Sequence, residues 1–280
     1  MNLWRMELIH LFRSWRGWTL SGIYLLASLI SLFVGFFIER ANGSFPYSQA
    51  IDWYITFSIV GTLVFIGIVV SSLAFDGNRD SSIFLRTRFS MKQILLTKAT
   101  VYFLLSQILF FAGFLIALLG GLILFDTSDH LNFNWVLWGL LLYLISDLFY
   151  VALMLFTSSI FRGPVISVLF TLAVILGFPL IGSTLISLEL LMRGLIEIPF
   201  ADWETTSYVA KALLWWPTAL EDTQGFLGVT NSEVSSGYIS FLGVSYPLDA
   251  HFRQDALITT IVSTPILTFL AWLRFSKREI

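Results

Sequence analysis

The fold of this chain is decided by residues 99–125, which read ATVYFLLSQILFFAGFLIALLGGLILF. This run contains no Asp, Glu, Lys or Arg. Because a helix rises about 1.5 Å per residue, the run is long enough to cross the ~30 Å hydrocarbon layer of a membrane. The composition agrees, since 57% of the 280 residues are hydrophobic and only 12% are charged, about half the charged fraction of a typical soluble protein. The sequence therefore predicts an integral membrane protein.

Five further segments of similar character extend the prediction to six membrane-spanning helices. The alternating polar and apolar stretches of a membrane barrel are absent from the sequence, so backbone polar groups inside the membrane must be bonded within helices. The predicted fold class is therefore an all-α integral membrane protein. Its six predicted spans are residues 18–38, 53–75, 99–125, 135–161, 164–188 and 256–273, and Asp147 in the fourth is their only charged residue.

The basic residues are distributed unequally between the two sides of the membrane. Six spans place both termini on one side, and twelve of the 16 Lys and Arg residues fall on that side. Because cytoplasmic loops carry the excess of Lys and Arg, both termini are expected in the cytoplasm. The first apolar run is too long for a cleavable signal peptide and lacks a small-residue cleavage site. We expect a multi-pass protein of the plasma (inner) membrane.

Residues 1–17, before the first span, have an amphipathic pattern. At 100° per residue, one side of a helix collects aromatic and aliphatic residues, while Arg5, His10, Arg13 and Arg16 fall on the other. Trp at the headgroup level and Arg toward anionic lipid are typical of a helix lying flat on a membrane. The pattern predicts an interfacial helix on the inner leaflet, and a generic membrane anchor is the alternative. Its apolar face consists of Trp4, Leu8, Leu11, Phe12, Trp15 and Trp18.

Two polar segments outside the spans are long enough to carry a function. The cytoplasmic loop at residues 76–98 contains five basic residues, and its run 91–96 is expected to continue as helix into span three. The external segment at residues 189–255 contains nine acidic and three basic residues. Its first half predicts short amphipathic helices, and its second half, richer in Gly, Ser and Asn, predicts loop. The chain thus divides into residues 1–17, spans one to five at 18–188, the external segment, and span six with a basic tail at 256–280.

Motifs for catalysis and nucleotide binding are absent from the sequence. No Gly-Lys pair occurs, so the chain lacks the phosphate-binding loop of P-loop ATPases. The chain has no cysteine, and His10, His130 and His251 are scattered, so no metal site is predicted. An intramembrane serine protease needs His or Lys at membrane depth, and the predicted spans contain neither. Neither a cofactor nor enzyme activity is expected of this chain on its own.

Asp147 is a lone carboxyl group near the middle of the predicted span four. A charge within a membrane is costly, which makes the residue a functional candidate by default. Tyr143 and Tyr150 lie one turn to either side and complete a polar stripe on the helix. One interpretation is a proton or substrate contact. The other is a protonated or hydrogen-bonded acid that holds span four to a neighbouring helix, and it is favoured because the spans contain no Lys or Arg to pair with a charge.

These features together resemble the membrane subunit of type-2 ATP-binding cassette (ABC) transporters, the permease family of bacterial and archaeal exporters. Residues 6–18, MELIHLFRSWRGW, are similar to the elbow helix of that family, residues 157–165 to its turn between spans four and five, and residues 274–280 to its basic tail. In the cytoplasmic loop, FSMKQILLTK at residues 89–98 is similar to the basic, Ile-Leu-Leu-rich end of the family's loop. The loop departs from the family pattern at residues 80–83, which lack a Gly, and at Arg88, where Pro is usual.

The resemblance implies the permease subunit of an ATP-driven exporter that works as a homodimer or with a related chain. Two copies of a separate cytoplasmic ABC ATPase subunit, which hold the ATP and Mg²⁺, would dock beneath the elbow helix and the 76–98 loop. Membrane lipid is a further expected partner, and nucleic acid is not. The loop residues that the resemblance implies for ATPase docking are Asn78, Arg79, Asp80, Ile83, Phe84, Leu85, Arg86 and Arg88.

Two other functions remain open at this stage. The size of the external segment motivates an ATP-driven assembly or signalling unit that acts on an extracytoplasmic protein without solute flux. Asp147 motivates an intramembrane enzyme, which retained function in an Asp147→Asn variant would eliminate. The sequence does not identify the cargo.

Overall fold

The structure, a computed structural model, is mainly helical over the residues that it describes. These are residues 3–13, 15–43, 46–47, 49–51, 53–55, 57–58, 89–126, 133–161, 164–192, 207–214, 238–241, 244–247 and 250–277. The helices are α1 (Leu3–Arg13), α2 (Trp15–Asn42), α3 (Met91–Leu124), α4 (Phe133–Ile160), α5 (Pro164–Met192), α6 (Tyr208–Leu214) and α7 (Ala250–Lys277). The strands are β1 (Tyr238–Phe241) and β2 (Val244–Pro247).

Within the described ranges, five helices are long and apolar enough to cross a membrane. They confirm a mainly helical, multi-pass membrane protein in the coarse sense of helix length and composition. Most of the predicted span two lies outside the described residues. The candidate spans are Ser21–Ala41, Lys92–Leu124, Leu140–Ile160, Val165–Gly182 and Asp255–Ser276.

Helix α3 begins before the predicted third span, as the run 91–96 predicted. Its start is set by a capping box at Ser90 and Gln93. The backbone N–H of Gln93 donates to the Ser90 hydroxyl at 3.4 Å, and the Ser90 N–H donates to Oε1 of Gln93 at 3.2 Å. Because these bonds satisfy otherwise unpaired donors, they fix where the helix begins. The candidate span therefore includes Lys92 and Lys98, which the sequence analysis assigned to the loop.

Helices α2 and α3 pack side by side and run in the same direction. A Cβ atom at Gly113 would lie 2.8 Å from the hydroxyl of Ser28, and one at Gly120 would meet the side chain of Leu32. The later contact on α2, at Leu32, is therefore also the later contact on α3, at Gly120. The glycines let the two backbones approach closely, as small residues do in membrane helix pairs.

The described residues between 47 and 58 run in the opposite direction, back along α3. The hydroxyl of Tyr47 donates to the carbonyl oxygen of Leu118 at 3.1 Å, and that of Tyr54 donates to the carbonyl of Phe110 at 2.6 Å. Where α2 ends and this segment begins, the backbone N–H of Tyr47 donates to the carbonyl of Asp126 at 3.0 Å. The chain therefore reverses direction at the end of α2. A second membrane span would require such a reversal.

The predicted external segment contains a short β-hairpin. Strands β1 and β2 are antiparallel, with Tyr238 opposite Pro247 and Phe241 opposite Val244. The sequence analysis predicted loop here, because it gave weight to the surrounding Gly, Ser and Asn. The aromatic and β-branched residues within the strands, which favour extended backbone, gave the better signal.

The chain forms two compact units. The first comprises Met1–Leu131, Tyr150–Val168 and Pro265–Ile280, and the second comprises Asn132–Phe149 and Leu169–Thr264. Within the second, the N–H of Ser207 donates to the carboxylate of Glu189 at 3.1 Å, which links the end of α5 to the start of α6. The candidate site lies within the first unit.

Candidate functional site

A buried ion pair joins α1 to α3 in the first unit. The Nζ atom of Lys98 lies 3.7 Å from Oε1 of Glu7, and the two residues are 3% and 7% exposed. One turn earlier on each helix, Leu3 packs with Ile94, so α1 follows α3 in the same direction. Removing a charge from water is costly unless it is paired. The pairing makes the burial of both charges tolerable and fixes α1 against the start of α3.

The first two turns of α3, residues 91–98, also contact two other helices, and we call these residues the α3 hub. The Nζ atom of Lys92 lies 4.6 Å from the centroid of the Trp272 ring on α7, a cation–π contact. Leu95 belongs to a buried cluster of α4 and α7 side chains. The other buried members of that cluster are Val151, Leu155 and Ala271.

The α3 hub joins the end of the 76–98 loop to three other helices. It follows directly on the 76–90 part of the predicted cytoplasmic loop, and the capping box at Ser90 makes its first turn regular. Packed interiors deform little, so a displaced element carries its neighbours with it. A displacement of the loop end would therefore reach α1, α4 and α7 together.

The predicted ATPase-docking residues Asn78 to Arg88 lie outside the described residues. What the structure describes is the end of that loop, from Phe89 onward. Phe89 packs against the cluster of Leu3 and Ile94. The loop end is therefore in contact with α1.

The predicted apolar face of the elbow helix is divided between two helices. Trp4, Leu8, Leu11, Phe12 and Arg13 lie in α1, whereas Trp15 and Arg16 lie in the first turn of α2. Among the described side chains of α1, those of Trp4, Leu8 and Phe12 are exposed, and those of Leu3 and Glu7 are buried. The position of α1 at a membrane surface stays a prediction.

The sequence analysis gave no role to the face of α1 that carries Leu3 and Glu7. The available signal was the spacing of Leu3 and Glu7 by four residues and of Ile94 and Lys98 by four residues. Such spacing places each pair on one helical face. This spacing does not show which two helices pair, because that depends on tertiary packing.

Tyr143, Asp147 and Tyr150 are all buried on α4. Asp147 is 2% exposed, and the neighbouring Ser146 is fully buried. The burial fits both interpretations of Asp147, the packing role and the proton or substrate contact. Its role stays a prediction.

A face of small residues on α3 was also missed. Gly113, Ala117 and Gly121 recur every four residues and therefore share one face. A Cβ atom at Gly113 would lie 2.7 Å from the Tyr54 ring, and one at Gly121 would lie 2.8 Å from the Tyr47 ring. The four-residue spacing is typical of close helix contact in membranes.

The small-residue face allows a buried polar contact to form beside it. The hydroxyl of Tyr54 donates to the Phe110 carbonyl and therefore accepts from the hydroxyl of Tyr24, 3.1 Å away. This chain of bonds satisfies both phenols away from water. It links α2 to α3 through the segment between them.

Over the part of the chain that the structure describes, no group of three or more His, Asp or Glu side chains is arranged to hold a metal ion. Residues outside that part include His130, so the absence of a metal site stays a prediction for the whole chain.

Comparisons with family models, with curated proteins and with solved structures gave no match to this chain. The resemblance to ABC permeases therefore rests on the sequence patterns described above.

Proposed function

We propose that this chain is the membrane-spanning permease subunit of an ATP-driven exporter. ATP and Mg²⁺ would be held by two copies of a separate cytoplasmic ABC ATPase, and a second permease copy or related chain would complete the assembly. The observation that supports this proposal most is the α3 hub. It connects the end of the predicted docking loop to three helices through buried contacts.

The proposed mechanism is a transfer of movement from the cytoplasm into the membrane. Closure of the ATPase pair would displace the 76–90 segment, and the α3 hub would pass that displacement to α1, α4 and α7. A chain without a nucleotide site needs such an external source of conformational energy to move a solute uphill. Rigid-body shifts of packed helices are a common form of such transitions.

Docking can be tested by changing the apolar residues of the loop. We expect Phe84→Asp or Leu85→Asp to reduce binding of the proposed ABC ATPase subunit by at least about tenfold, because a buried unpaired carboxylate costs more than 1.4 kcal/mol. The measurement is co-purification of the two tagged proteins after co-expression.

Met192→Asp is the matched control for docking, because Met192 is exposed on the predicted external side. It should leave ATPase binding unchanged. Normal ATPase binding by both loop variants would refute the docking assignment.

Orientation can be tested in the native background, because the chain has no cysteine. Asp126 and Arg274 are both exposed and lie on predicted opposite sides of the membrane. We expect a membrane-impermeant maleimide, added to intact cells, to label Asp126→Cys but not Arg274→Cys, and to label both after lysis. The reverse labelling pattern would contradict cytoplasmic termini and, with them, cytoplasmic docking.

A second candidate function is an ATP-driven assembly or signalling unit. It is favoured by the regular structure within the external segment, where α6 and the β-hairpin are found. Regular elements there could present a surface to an extracytoplasmic protein. Proteoliposomes that contain the chain and its ATPase distinguish the two functions, because this alternative predicts ATP turnover without flux of labelled lipid or peptide.

A further inference from the structure

An apolar groove runs between α1, α2 and α3 on the surface of the first unit. Its volume is about 180 Å³, and its walls include Trp4, Leu8 and Phe12 of α1 together with Leu104 and Ile108 of α3. All five of these residues are at least one-third exposed. The groove is therefore open to the surface of the protein rather than an enclosed cavity.

The groove offers few hydrogen bonds to an occupant. The indole N–H of Trp18, at its edge, already donates to the carbonyl of Phe12 at 2.8 Å. Of its lining residues, Ser21 alone carries a side-chain hydroxyl. An apolar occupant fits this chemistry, because a polar one would lose its bonds to water without replacement.

The surface beside the groove is basic. Arg5 and Arg13 are exposed on α1. The one acid of α1, Glu7, is buried and paired with Lys98. Since that pair neutralises its own charges, the described exposed side chains of α1 carry only positive charge.

The groove lies where the hydrocarbon layer is expected to begin. Helix α3 has 34 residues and is therefore about 51 Å long, so it projects well beyond the ~30 Å hydrocarbon layer. The candidate span of α2 begins at Ser21, which lines the groove. Helix α1 lies beside the earlier turns of α3, where we expect the headgroups.

We propose that the groove binds one acyl chain of an anionic phospholipid of the cytoplasmic leaflet, with its headgroup beside Arg5. The apolar walls match the acyl chain, and the basic side of α1 matches the phosphate. Because α1 is fixed by Glu7 and Lys98, the groove is formed before the lipid arrives. This proposal does not depend on whether the chain is a transporter subunit.

Native mass spectrometry of the purified full chain tests the proposal, with phosphatidylglycerol or phosphatidylcholine added at equal concentration. We expect tighter retention of phosphatidylglycerol. Leu104→Trp should fill part of the groove and lower that retention about tenfold. A tenfold loss corresponds to the lost burial of about two methylene groups of the acyl chain. Arg5→Gln should lower the preference for the anionic lipid about fivefold.

The matched controls are Leu119→Trp, at an exposed position of α3 outside the groove, and Arg274→Gln, at an exposed basic position elsewhere. Neither should change retention. Equal losses in Leu104→Trp and Leu119→Trp would overturn the assignment to the groove. Equal retention of the two lipids by the unmodified chain would overturn the anionic specificity.

Discussion

Replacement of Lys98 with Met should destabilise the protein by about 3–5 kcal/mol, the largest effect that we expect from a single substitution. The change removes the cation that faces Glu7 and leaves a carboxylate buried without its partner. Thermal unfolding of the purified protein in detergent measures the loss. The same variant should also loosen α1, which limited proteolysis within residues 3–13 would detect.

The double variant Glu7→Gln/Lys98→Met is the decisive control for this prediction. Removing both charges should restore most of the lost stability, since paired removal is far less costly than breaking a buried pair. Lys92→Met, which removes an exposed cation from the same two turns, should cost only about 0.5–1 kcal/mol. A double variant as unstable as Lys98→Met alone would show that the ion pair is not what holds α1.

The second large effect is expected from Gly113→Ala, at about 1–3 kcal/mol. The new methyl group would lie 2.7 Å from the Tyr54 ring and 2.8 Å from the Ser28 hydroxyl. Overpacking of this kind displaces neighbours on both sides of the contact. It should also break the hydrogen bond from Tyr54 to the Phe110 carbonyl.

Gly22→Ala is the matched control, because a Cβ atom there would have no neighbour within 4 Å. Ala has the higher helix propensity, so this variant should be neutral or more stable by up to about 1 kcal/mol. Thermal unfolding of both variants, measured side by side, gives the comparison. Equal stability of the two would mean that α2 and α3 are not in close contact at Gly113.

The sequence predicted the elements that depend on local composition and periodicity. Residues 99–124 form part of a helix long and apolar enough to cross a membrane, because their side chains are mostly apolar and none is charged. The extension of α3 to Met91 follows from the capping residues Ser90 and Gln93. Each of these signals comes from residues close together in the chain, so it can be recognised without knowing which helices pack together.

The parts that sequence analysis missed depend on which helices become neighbours. Lys98 was assigned to the loop because a single lysine beside an apolar run ordinarily marks the end of a span. Its burial became possible only through Glu7, on a helix far earlier in the chain. The small-residue face at Gly113 has the same origin, since its meaning depends on Tyr54 lying opposite.

The ion pair between α1 and α3 also sets an order for biogenesis. Glu7 leaves the ribosome long before its partner Lys98 does. The first span contains no cation that could replace Lys98. Helix α1 must therefore remain at the water-facing surface, with its carboxylate hydrated, until the third span has been synthesised and inserted. Docking of the amino-terminal helix is consequently a late, post-insertion step, and a truncated chain that stops before Lys98 should leave that helix undocked.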